Sequence, residues 1–267
     1  MAVGGYEERI NVIHWSKAEQ HTDEGCVLDG HEGTITALSL FKNEYLMSAA
    51  EDSKICLWKL HPPALYHTFK YKDPIKACLY LCTHPTGRIL LSLHTGGYLL
   101  MWNLMTGHYE FQRKVDPTAS KVEFLLEGNY YYLLTKTGIK IYSIKSDEPA
   151  NTLSLGKDEI LSACGVYDSI YAVTENQILV KWVLNDEGKS EEPITKKDLW
   201  EGKAKQVEVW KDGDITYAAV TTVQDEIIGI KITDEAEIVF ETKLKTKIMC
   251  LGISVTTFKY KPKKKSE

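Results

Sequence analysis

Residues Gly30–Leu60 read GHEGTITALSLFKNEYLMSAAEDSKICLWKL, and their spacing decides the fold. Asp52 stands six residues before Trp58, and a Gly-His pair (Gly30, His31) lies upstream of both, with Ser48 between. Neither a metal site nor a catalytic dyad asks for that arrangement. Three short β-type runs explain it: TITALSLF from Thr34, YLMSAA from Tyr45 and KICLWKL from Lys54. Each is bounded by turn residues, and LYHTFKY from Leu65 adds a fourth.

The set of four then recurs. IKACLYL, RILLSL, YLLMWNL and YEFQRKV follow from Ile75, and KVEFLLE, YYYLLTK, IKIYSIK and NTLSL from Lys121. ILSACGV, SIYAVTE, ILVKWVL and a late ITKKDLW make a fourth round, and QVEVWK, ITYAAVT, IIGIKIT and EIVFETK a fifth. Ile248 opens a last first strand, IMCLGIS, with no complete set after it. First strands begin about every 40–45 residues, the period of a β-propeller blade. No long window carries a competing helical period.

Strand character agrees. Third strands such as Ile55-Cys56-Leu57-Trp58 are apolar on both faces, as a strand between two blades must be. The fourth strand alternates, with Leu65, His67, Phe69 and Tyr71 assigned to one side. The fold expected is all-β: a propeller of six four-stranded blades, with seven as the alternative. Residues 1–260 form one domain and 261–267 a short basic tail. Ala2–Tyr6, Arg9–Trp15 and Gly25–Asp29 would supply the second, third and fourth strands of a composite blade. The C-terminal run Ile248–Ser254 would supply its first strand and close the ring.

In such a blade His31 falls in the turn before the first strand, Ser48 on the second, Asp52 in the next turn and Trp58 on the third. A His donor, a carboxylate, a hydroxyl and an indole N–H can then satisfy one another in a structural tetrad. In later rounds Trp102, Tyr142 and Trp182 take the Trp position, while Gly96, Lys136 and Asn176 take that of Asp. Asp225 is assigned to the Asp position of the fifth round, with Lys231 six residues on replacing Trp.

This pattern resembles a WD repeat, and the likeness extends further. VGGYEERINVI from Val3, the run from Gly33 to Leu60, HPTGRILLSLHTGGYLLMWNLMTG from His84 and the terminal MCLGIS resemble the p21-activated kinase-interacting protein 1-like family. The likeness is strongest from Gly30 to Gly107 and weak from about Asp147 to Leu244. It implies a nucleolar assembly factor for the large (60S) ribosomal subunit, a non-catalytic scaffold in the nucleus. Implied partners are assembly factors and ribosomal or ribosomal-like proteins of the pre-60S particle, with rRNA contact secondary. Restraint of a p21-activated kinase is the alternative role. Family members usually carry seven repeats and a longer basic tail, so this chain departs in both.

Other features point away from chemistry. The net charge is −5, which disfavours coating nucleic acid or an anionic membrane. No cofactor, metal, membrane or small-molecule substrate is expected, and the chain reads as a monomer outside its complex. G-x-S-x-G and H-E-x-x-H do not occur. Six Cys are scattered without a C-x-x-C and read as buried thiols. Cys78 and Cys82, placed on one strand face, lie too far apart to share an ion with His84. Glu123 with Asp116, and Glu191 with Glu192, read as solvated carboxylates in polar connections. Tyr130–Tyr132 read as inter-blade packing, and residues 185–202 as a solvated loop, with a partner-binding insertion as the alternative. A ubiquitin-ligase receptor would need Trp-Asp-x-Arg, and the corresponding runs here are WKLH, WNLM and WVLN. The tail lysines Lys261, Lys263, Lys264 and Lys265 could serve nuclear import or contact phosphates.

Overall fold

The computed structural model describes residues 2–4, 8–15, 22–42, 44–71, 77–197, 199–233 and 236–243. They form a β-propeller. The first blade pairs β4 (Ile35–Phe41), β5 (Tyr45–Ala50), β6 (Lys54–Leu60) and β7 (Pro63–Lys70) as an antiparallel meander. The second holds β8 (Cys78–Thr83), β9 (Ile89–His94), β10 (Tyr98–Asn103) and β11 (His108–Lys114). The third holds β12 (Lys121–Leu125), β13 (Tyr130–Thr135), β14 (Gly138–Ser143) and β15 (Pro149–Leu153). In the fourth are β16 (Ile160–Val166), β17 (Ser169–Thr174), β18 (Leu179–Val183) and β19 (Ile194–Lys196). In the fifth are β20 (Ala204–Asp212), β21 (Ile215–Thr222), β22 (Glu226–Ile232) and β23 (Glu237–Lys243).

The sixth sheet has three described strands: β1 (Ala2–Gly4), β2 (Arg9–Trp15) and β3 (Thr22–Asp29), in that order. The expected closing strand Ile248–Ser254 lies outside the described residues, as does the lysine tail. First strands β4, β8, β12, β16 and β20 neighbour one another in sequence order and line the axis.

Apolar side chains fill the space between consecutive sheets. Ile10, Val12 and Leu28 of the N-terminal sheet pack against Leu46, Cys56 and Trp58. Met47, Ile55 and Phe69 of the first blade meet Leu81, Leu100 and Trp102 of the second. A third strand therefore presents Ile55 to the next blade and Cys56 and Trp58 to the preceding one, which is why it carries no polar face. Burying one such large side chain is worth about 1.5–3 kcal/mol, so these interfaces supply most of the cohesion.

Two recurrent bulges correct the sequence-based facing of particular residues. One sits between third and fourth strands, directly at the Trp position: Leu57 faces His67, but Trp58 faces Leu65. The extra residue, Tyr66, turns Leu65 away from the side occupied by Phe69 and leaves it 47% exposed. The other opens the first strand. In β8 it falls between Cys78 and Tyr80. Cys78 consequently packs toward the first blade and Cys82 toward the third, so the two thiols do not share a face.

The bulge also fixes register across blades. It recurs at Trp102, Tyr142 and Ile230. Ile230, not Lys231, thus occupies the Trp position of the fifth blade. Counting back six places Gln224 where Asp52 stands. Asp225 takes the next turn position, in the left-handed region at φ 62°, as do Ser53 (62°) and Gln177 (61°) in their blades.

Candidate functional site

The tetrad residues of the first blade meet. The Trp58 indole N–H donates to Ser48 Oγ at 2.7 Å, and Ser48 donates onward to His31 Nε2 at 2.7 Å. His31 Nδ1–H in turn donates to Asp52 Oδ2 at 3.0 Å. Trp58 can only donate and the Asp52 carboxylate only accept, while Ser48 and His31 each do both once, so the chain runs in a single direction. Asp52 also accepts backbone N–H bonds from Glu32 (2.9 Å) and Lys54 (3.0 Å). Burial pushes the Asp52 pKa up, but bonds from Glu32 N–H, His31 and Lys54 N–H outweigh it and hold it below the ordinary value. Gly30 precedes His31 because a Cβ there would stand 3.0 Å from the Trp58 ring.

The second blade reaches the same end differently. Trp102 donates to Ser92 Oγ at 2.8 Å, and Ser92 donates to His94 Nε2 at 2.8 Å. His94 comes from the strand itself, two residues after the Ser, and packs edge-on to Tyr71 with ring centroids 4.6 Å apart. The sequence reading missed it. The signal was a Ser ten residues before a Trp, repeated from Ser48 and Trp58.

Glu123 corrects the reading of a solvated carboxylate. It lies on inner strand β12, not in a connection, and is mostly buried. Its Oε1 accepts from Tyr80 at 3.1 Å and Lys121 Nζ at 3.0 Å. Its Oε2 accepts from Tyr132 at 2.6 Å and the Gly165 N–H at 2.9 Å. Lys121 Nζ also reaches Glu208 Oε1 at 3.3 Å, crossing from the third blade to the fifth. Gln206 holds the same oxygen at 2.9 Å. Four blades thus converge on one lysine and two carboxylates at the axis. Burial works against the Lys121 charge, but Glu123 and Glu208 outweigh it and keep its pKa well above the ordinary lysine value. Burial likewise raises the Tyr80 and Tyr132 hydroxyls, which stay protonated as donors. No spacing rule joins residues 80, 121, 123 and 208, so only the fold could assemble them.

Asp116, the other carboxylate of that reading, sits in the connection before β12. Hydrogen bonds from Lys140 and Thr118 hold its pKa at about 2. Burial makes the Cys56 and Cys82 thiols unreactive, pushing Cys56 up to about 11 and Cys82 to about 12. His84 caps its turn, Nδ1 accepting from Thr86 N–H at 3.1 Å, while the ring stands edge-on to Phe124 of the next blade. It bonds the Gly128 backbone, and a side chain at Gly128 would collide with its ring. Tyr131 stacks on Tyr142 at 5.4 Å, Arg113 lies over Tyr142 at 4.5 Å, and Tyr132 faces the axis. The Tyr run is therefore inter-blade packing. The 185–202 stretch is only partly loop: Ile194–Lys196 form β19, and Gly188 packs against the Tyr130 ring.

No known family model matches the sequence. Similar proteins do. One is a p21-activated protein kinase-interacting protein 1-like protein of Xenopus laevis, 30% identical over 182 residues, covering 68% of this chain and 48% of that protein. A Gallus gallus protein of the same description is 25% identical over 265 residues, 95% of this chain and 67% of its own length. The human p21-activated protein kinase-interacting protein 1 is 28% identical over 182 residues, 68% of this chain and 45% of its own. The chain thus spans about half the length of two of these relatives and two thirds of the third.

Proposed function

Because the chain belongs to the p21-activated protein kinase-interacting protein 1-like family, we propose that it is a non-catalytic protein-interaction scaffold. One observation carries this reading: the polar constellations described above are turned inward and spent on the fold. His31, Ser48, Asp52 and Trp58 satisfy one another, and Lys121, Glu123 and Glu208 do the same at the axis. A catalytic group needs a reactive form within reach of substrate. These groups are held by partners, and the buried thiols are held protonated. What remains for function is the outer surface, where propeller loops and strand edges meet other proteins.

Within that role we assign the chain to assembly of the large ribosomal subunit in the nucleolus, gripping proteins of the pre-60S particle. Support comes from the family resemblance carried by Gly30–Gly107 and the terminal segments. A second reading, binding a p21-activated kinase, is favoured by the descriptions of the relatives. Affinity purification of the tagged full chain from growing cells, with mass spectrometry of the co-purified proteins, separates the two. Large-subunit assembly factors and ribosomal proteins are the expected result. A kinase without ribosomal material would replace the first reading by the second.

A further inference from the structure

The fourth blade does not fully cover the face it turns to the fifth. Two features leave it open. Its outer strand β19 has three residues where β7 has eight. Ile230 also stands where the neighbouring blades put Trp or Tyr, so the fifth blade brings less volume to the interface. The result is a cleft of about 430 Å³ between the two blades.

Its lining is of two kinds. Tyr171, Leu179 and Ile232 make an apolar floor, and Ile194 stands at the lip, 53% exposed. Among the described residues, Lys181, Lys196 and Lys211 line the sides against one carboxylate, Asp214. This is a local surplus of positive charge on a chain whose net charge is −5. Lys181 leans over the Tyr171 ring at 5.7 Å and Lys211 over the exposed Tyr167 ring at 4.9 Å. Among the described residues neither lysine is in an ion pair. Lys211 is exposed and Lys181 half-buried, both beside the apolar floor.

We propose that this cleft docks an extended acidic segment of a partner protein, its carboxylates on Lys181 and Lys211 and an apolar side chain on the Tyr171–Ile232 floor. β19 is the outermost strand of its sheet. A segment laid along it would place alternate side chains on the same face as Ile194 and Lys196, which is how an added strand couples backbone bonding to side-chain selection. The apolar floor suits a peptide carrying an apolar side chain better than a phosphate chain, whose non-specific binding rests on charge. The proposal deepens the scaffold reading and rests on it, without depending on which particle the scaffold serves.

The test is fluorescence anisotropy on the purified full chain, with a short fluorescein-labelled peptide of alternating Asp and Leu. The same peptide with Lys for Asp and a labelled oligouridine serve as comparisons. The acidic peptide should bind. Lys181→Glu with Lys211→Glu should weaken it at least about tenfold, a change of 1.4 kcal/mol. Lys145→Glu with Lys157→Glu, on exposed turns of the third and fourth blades, should leave it within about twofold. Melting curves of both variants should stay cooperative like the parent's, since Lys145, Lys157 and Lys211 are exposed and Lys181 is half-buried over the Tyr171 ring. Ile194→Asp gives a second reading of the lip, again with weaker binding. No binding, equal loss in the control variant, or oligouridine binding with the same dependence on Lys181 and Lys211 would each overturn the proposal. A failed peptide assay leaves the co-purification result standing, and absence of ribosomal material leaves the cleft untouched.

Discussion

The first and fifth blades solve one architectural problem with opposite chemistry. At equivalent positions the first has Ser48 and Trp58, and the fifth has Val220 and Ile230. The turn between second and third strands is tied in the first blade by Asp52, which reaches back to His31 and Glu32. In the fifth it is tied locally, Thr222 Oγ1 accepting from Gln224 N–H at 3.3 Å and Glu226 N–H at 3.4 Å. Stranding one member of a buried hydrogen-bonded pair is expensive, whereas replacing both by apolar groups costs little. The fifth blade has lost its set together. What makes a blade is therefore the meander, the bulge at the Trp position and the inter-blade packing; the tetrad is one way of filling the interior.

That comparison can be broken at four places. The largest effect lies at the axis, where both kinds of blade meet. Lys121→Ala leaves Glu123 and Glu208 facing each other, mostly buried, and should destabilise by about 3–5 kcal/mol in urea unfolding. A loss near zero would mean that water already screens the cluster.

Asp52→Ala comes next, at about 2–4 kcal/mol, because three donors lose their acceptor. Its pH signature has a definite sign. The folded-state pKa lies below the ordinary 3.8. Its contribution is therefore full above that value and drains as pH falls through the lower, folded one. Urea midpoints measured from pH 5 downward should decline less steeply in Asp52→Asn than in the parent, and equal slopes would remove Asp52 from the acid response.

Ser92→Ala tests the second blade's variant. Trp102 and His94 would both lose the bond to Ser92, for a loss of about 1–3 kcal/mol by thermal melting. The smallest change is the sharpest check on register. Asp225→Asn keeps a residue that tolerates the left-handed region and should shift stability by less than about 0.5 kcal/mol. A loss as large as that of Asp52→Ala would return Asp225 to the Asp position and contradict the bulge-based alignment.

Much of this was legible beforehand for a physical reason. Strand alternation and turn residues are local, and nearly every strand from Ile35 to Lys243 lies within a residue or two of its expected span. The meeting of His31, Ser48, Asp52 and Trp58 was legible too, since one short meander, β4 to β6 with the turn before it, brings all of them together. His94 escaped because its role depends on a side-chain direction, and Asp225 was misplaced because a one-residue difference in a turn is invisible without the pairing.

By itself the sequence determined the repeat, the all-β class and the four residues of the first blade's tetrad, all from contacts a few tens of residues apart. Only the tertiary structure decided the rest. The axial cluster joins Tyr80, Lys121, Glu123, the Gly165 N–H and Glu208 across four blades. The bulges turn Leu65 and Cys78 to faces that simple alternation denies them. The cleft of Lys181 and Lys211 exists because one outer strand stops short against its neighbour. Each depends on how separate blades are set around a common axis, and a linear pattern carries no record of that arrangement.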